Sequence, residues 1–76
     1  MGKSRALPKL YRTNLEGILF NVEGILMSGH PDSLVIQHLD SIFEPVCRRY
    51  KSEGFEIPPE YRERAGRIRE LAQDTV

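Results

Sequence analysis

The chain reads as an all-α protein: an antiparallel helical hairpin plus a third, C-terminal helix, a small three-helix bundle open to completion by dimerisation. Three observations predict this. Apolar residues recur at three- and four-residue steps along two long stretches, the spacing of one buried helix face. Prolines and glycines fall at the expected edges of those stretches. From Thr13 to Cys47 there is no lysine or arginine, while five acids lie there (Glu16, Glu23, Asp32, Asp40, Glu44) and every base lies outside. The flanking segments are therefore expected to pack or pair against the middle.

Residues 1–6 are short, polar and basic, and are expected to form a flexible arm. The first helix is expected over 8–28, opening at Pro8 because proline suits the first helical position. Its stripe is Tyr11, Leu15, Ile18, Leu19, Val22, Ile25 and Leu26. Ser28-Gly29 stops it, since glycine takes the left-handed cap conformation cheaply, and the turn continues through His30 to Pro31.

The second helix is expected over 31–53, with Asp32 in its positive first turn. Its stripe is Val35, Leu39, Ile42, Phe43, Val46 and Tyr50, widened by Ile36 and Cys47. Pro45 lies within the stripe, and an internal proline costs about 3 kcal/mol. Because the apolar phase continues past it, a kinked helix is expected rather than a break. Gly54 ends the helix, and Phe55 is expected to fold back on Tyr50. Ile57-Pro58-Pro59 is extended, as residues before proline avoid the helical region.

The third helix is expected over 59–73. Glu60 with Arg64 and Glu63 with Arg67 form acid-first i, i+4 pairs, worth about 0.2–0.5 kcal/mol each. Its stripe, Tyr61, Ala65, Ile68, Leu71 and Ala72, is thin, and Gly66 weakens it.

The totals describe one small domain of 76 residues. A chain this short buries only roughly 60% of its unfolded surface, so association would help it. With 39% apolar and 29% charged residues the composition is globular. Eleven bases balance eleven acids, leaving no net field to draw nucleic acid or membrane. The lone Cys47 has no internal disulfide partner, which with the absence of a long apolar run leads to the expectation of a cytoplasmic protein.

No catalytic, metal or cofactor site is expected. His38 and Cys47 are nine residues apart, on nearly opposite sides of a regular helix, and His30 reads as a turn residue. Two histidines and one cysteine have no zinc-ligand spacing. Gly17 and Gly24 lie mid-helix, not in a phosphate-binding loop. Cys47 before Arg48-Arg49 reads as a small apolar residue at the rim of its stripe rather than a nucleophile.

Those two glycines each cost about 1 kcal/mol relative to alanine in a helix interior, and they stand one heptad apart. Phe20 and Met27 share that spacing, and Phe20 lies about 140° from Leu15 around the helix. Gly17, Phe20, Gly24 and Met27 are therefore expected to form a protein interface, and the chain to be a non-enzymatic interaction or regulatory module, binding another protein or itself as a homodimer. The alternative is a small nucleic-acid-binding regulatory protein using the basic arm and the third helix. Lys9, Arg12, Arg62 and Arg69 would make its contacts, helped by tyrosines adjacent to bases.

Overall fold

The computed structural model describes residues 5–29 and 32–74. His30, Pro31 and the first four residues of the expected arm lie outside them. The protein is mostly helical, as the all-α class requires, with one addition that the periodicity does not announce: two short paired strands.

Helix α1 spans Lys9–Met27. Pro8 precedes it in extended conformation, and its carbonyl accepts the Arg12 N–H at 3.0 Å. Leu15, Leu19 and Val22 are fully buried, with Tyr11, Ile18, Ile25 and Leu26 partly buried beside them. At the far end Ser28 N–H and Oγ both reach the Gly24 carbonyl, and Gly29 turns the chain at φ 79°.

The second helical stretch runs without a break over residues 32–52. It comprises α2 (Asp32–His38), a π-helical segment (Leu39–Phe43) and α3 (Glu44–Ser52). The Glu44 N–H donates to the Leu39 carbonyl, five residues back. Pro45 explains the widened turn. It has no N–H to give, and in a regular helix its ring would press on the Ser41 carbonyl. Admitting an extra residue into the turn opens that space without ending the helix.

The π segment changes which residues face the core. One extra residue rotates everything after it by about 100° relative to a regular helix. The stripe expected at Val35, Leu39, Ile42, Phe43, Val46 and Tyr50, widened by Ile36 and Cys47, narrows to Val35, Leu39, Phe43, Cys47 and Tyr50, all buried. Ile42 is left 40% exposed and Val46 only partly buried. Cys47, expected at the rim, sits in the centre.

Strands β1 (Arg5–Ala6) and β2 (Phe55–Glu56) pair in parallel, with Arg5 opposite Phe55 and Ala6 opposite Glu56. This corrects the expectation of a flexible arm at its C-terminal end. Gly54, at φ 94°, ends the helix as expected and offers its carbonyl to the Arg5 N–H at 3.0 Å. The Arg5 guanidinium lies 4.7 Å over the Phe55 ring and donates to the Glu53 carbonyl. Phe55 meets Tyr11 edge-on at 5.4 Å, and Tyr11 stacks flat on Tyr50 at 4.2 Å. The expected fold-back of Phe55 onto Tyr50 is thus relayed through Tyr11. Leu7 and Ile57, beside the strands, are buried and fasten the clasp to the core.

Helix α4 (Pro59–Asp74) buries Tyr61, Ala65, Ile68 and Ala72. Leu71, expected in that stripe, is half exposed. The charge asymmetry of the sequence finds its explanation on this helix. Arg62 pairs with Glu44 at 3.6 Å, Arg64 with Glu23 at 2.8 Å, and Arg69 with Asp40 at 2.6 Å. The Tyr61 hydroxyl donates to Glu16 at 2.7 Å. Four acids of the base-free middle are thereby engaged from α4. Arg64 reaches across to Glu23 through two hydrogen bonds, a charge-assisted fork, where the sequence suggests a local pair with Glu60.

Candidate protein-interaction face

Helix α1 turns one side to the core and leaves the other in solvent. The solvent side carries Leu10, Thr13, Gly17, Phe20, Gly24 and Met27, whose spacing alternates between three and four residues. Leu10, Phe20 and Met27 are 76%, 71% and 86% exposed. A Cβ built on Gly17 or Gly24 would meet nothing within 4 Å. Neither glycine is required by a close approach within the chain, and neither has positive φ. Their cost in helix propensity is therefore unrepaid inside the subunit. All four residues expected at an interface lie on this one face, and α4 does not cover them: Ile68 points into the core instead.

A shallow groove of about 380 Å³ adjoins the face, lined by Ile18, Asn21, Val22, Ile25, His38 and Ile42. A second cleft continues it past Leu10, Thr13 and Gly17. Two contributors lie outside the expected interface set. A regular helical phase puts Ile42 in the core. Leu10 stands one heptad before Gly17, and its spacing carries the same signal.

The expected nucleic-acid contacts differ in what engages them. Lys9 and Arg12 are exposed on α1, whereas Arg62 and Arg69 are engaged by Glu44 and Asp40. Arg12 also borders a cleft with Ala6, Leu7, Glu56, Pro58 and Pro59.

The reactive side chains are directed into packing and local hydrogen bonds. Burial pushes the Cys47 thiol up, with nearby Arg62 opposing the shift more weakly, which is the reverse of thiolate activation. His38 Nδ1 donates to the Leu34 carbonyl at 3.2 Å, a bond within its own helix. The Arg64 guanidinium holds the Glu23 carboxyl below its ordinary range, against a smaller upward effect of burial. Burial, then the hydrogen bond to Glu16, pushes the Tyr61 hydroxyl up to about 12. The Glu23–Arg64 and Glu16–Tyr61 links join α1 to α4. Among the described residues no group of three His, Cys, Asp or Glu side chains could hold a metal ion, and no helix is long and apolar enough to cross a membrane. Compared with known proteins, the chain matches no protein-family model, no curated protein and no solved structure.

Proposed function

We propose that this chain is a non-enzymatic protein–protein interaction module, regulatory in character, that acts through the solvent face of α1. Its scaffold in this reading is an antiparallel hairpin of α1 with the 32–52 helix, buttressed by α4. Tyr11 against Tyr50 at one end, and Val22 and Ile25 beside His38 and Ile42 further along, support that arrangement. The cytoplasmic setting belongs to the same proposal and rests on the single, buried thiol.

One observation carries the reading: Phe20 and Met27 stand in solvent beside two glycines that nothing in the subunit requires. Burying a side chain of that size yields about 1.5–3 kcal/mol, and a mid-helix glycine costs about 1 kcal/mol. A partner helix lying across the glycines would recover the first and offset the second. Small residues flanked by large apolar ones allow helices to approach closely.

The test is site-specific photo-crosslinking in cells from a benzophenone amino acid at position 20, with exposed position 67 on α4 as control. Adducts of discrete protein mass from position 20 and not from 67 are expected. Equal labelling from both positions, or none from position 20, would refute the proposal. The double variant Phe20→Glu with Met27→Lys should keep its helicity by circular dichroism. Global unfolding of that variant would return both residues to the monomer core.

A further inference from the structure

We infer that the occupant of the α1 face is a second copy of the same chain, with the two α1 helices packed antiparallel about a two-fold axis near their midpoints. This rests on the reading of α1 as an interface and adds the partner and its register.

The face is self-complementary in one orientation only. Its residues step by three, four, three, four and three from Leu10 to Met27, a series that reads the same in reverse. Laid antiparallel, Leu10 meets the other copy's Met27, Thr13 meets Gly24, and Gly17 meets Phe20. Each Phe20 ring then lies over a glycine, and the larger side chains close the ends. Laid parallel, the two Phe20 rings would collide while the glycines faced each other across voids. The alternating step is also the spacing that lets two helices interlock along their length.

Charge points to the same partner. In a chain that is 29% charged, the strip Leu10, Thr13, Gly17, Phe20, Gly24 and Met27 bears no charged side chain. Glu16 and Glu23 border that strip, one helical turn before Phe20 and Met27, and are engaged by Tyr61 and Arg64. An uncharged strip meets its own copy with no like charges at its centre, whereas a strongly charged partner would gain nothing there. The antiparallel register also brings Lys9 beside the C-terminal turn of the other copy's α1. That turn has no base of its own and carries the negative end of the helix dipole.

The available area is sufficient for a dimer in exchange with monomer. Phe20, 71% exposed, offers upward of ~100 Å² by the usual aromatic burial. Leu10, Met27 and Ile42 are of similar size and also exposed. Two copies thus bring together on the order of 800 Å² from these side chains alone, near the ~1,000 Å² at which specific interfaces begin.

Disulfide trapping on the purified full chain tests the register. Thr13→Cys and Gly24→Cys are prepared separately, then oxidised briefly alone and as an equimolar mixture; Cys47 is buried and stays silent. The mixture is expected to form linked dimers at least about tenfold faster than either variant alone, since only opposed positions meet the geometry of a disulfide. Adding Phe20→Glu to both variants should abolish the gain. Self-linking of Thr13→Cys at the rate of the mixture would overturn the antiparallel arrangement. No linking in any sample, with the wild type sedimenting as a monomer at high concentration, would overturn the second copy as occupant. In that case adducts from position 20 to a different protein would leave the interface reading standing, and absence of any adduct would remove both.

Discussion

Replacing Phe43 and its neighbour Ile42 by alanine, one at a time, separates the π-turned helix from a regular one. With a regular phase from Val35, Ile42 faces the core and Phe43 lies some 80° away. With the π turn the order is reversed: Phe43 is fully buried and Ile42 is 40% exposed. Phe43→Ala should cost about 3–5 kcal/mol, the loss of a buried ring plus the cavity left behind. Ile42→Ala should cost no more than about 1–2 kcal/mol, because full burial of such a side chain is worth only about 1.5–3 kcal/mol. A domain of 76 residues has roughly 4–11 kcal/mol in total. Phe43→Ala is therefore expected to lose a large share of that stability, while Ile42→Ala keeps most of it. Urea unfolding followed by circular dichroism, at low protein concentration so that association does not contribute, measures both. If Ile42→Ala proves the more damaging of the two, the π-segment account of the core is wrong.

Two further outcomes follow from the polar links between α1 and α4. Tyr61 ionises at about 12 in the folded chain against 10.0 for the free side chain, so the native state holds its proton where the unfolded state has lost it. Stability is fully present below pH 10 and falls as pH rises toward 12; urea midpoints across that range should decline less steeply for Tyr61→Phe than for wild type, and an unchanged slope would contradict the assignment. Glu23 is shifted the other way by Arg64. Its contribution is present above the ordinary carboxylate range and lost as pH falls through the lowered folded value. Arg64→Met should flatten part of the acid limb of the stability curve, and an identical acid limb in the two proteins would count against the pairing.

What could be read from the residues, and what could not, divides along physical lines. Leu15, Leu19 and Val22 are buried on a regular helix, where apolar spacing and packing phase coincide. Phe43 falls in the expected stripe, but Ile42, Val46 and Cys47 shift because the geometry before Pro45 is set by a missing N–H and a steric clash, and the resulting rotation leaves no mark on the pattern. The β1–β2 clasp was illegible for a different reason: each strand is two residues long and its partner lies about fifty residues away, so no local signal names it. Leu7 and Ile57 are buried by that clasp, in stretches where adjacent prolines suggested only connectors. Arg64 offered a local partner in Glu60, yet the fork across to Glu23 prevails. By contrast the Phe20 and Met27 face was visible from angles alone, since no fold of α1 can turn those residues and Leu15 in the same direction.

The central claim is that the glycines of α1 serve contact with a second copy of the chain and not the subunit itself, and Gly17→Ala with Gly24→Ala measures this directly. Neither added methyl meets anything within 4 Å in the subunit, so each should add about 0.8–1.0 kcal/mol to the monomer through helix propensity. For a domain of this size the pair should raise Tm by roughly 10 °C. Sedimentation of the same variant should show weaker self-association than wild type, because the methyl at position 17 takes the space into which the other copy's Phe20 packs. A lower Tm, or a higher Tm with self-association unchanged, would contradict the claim.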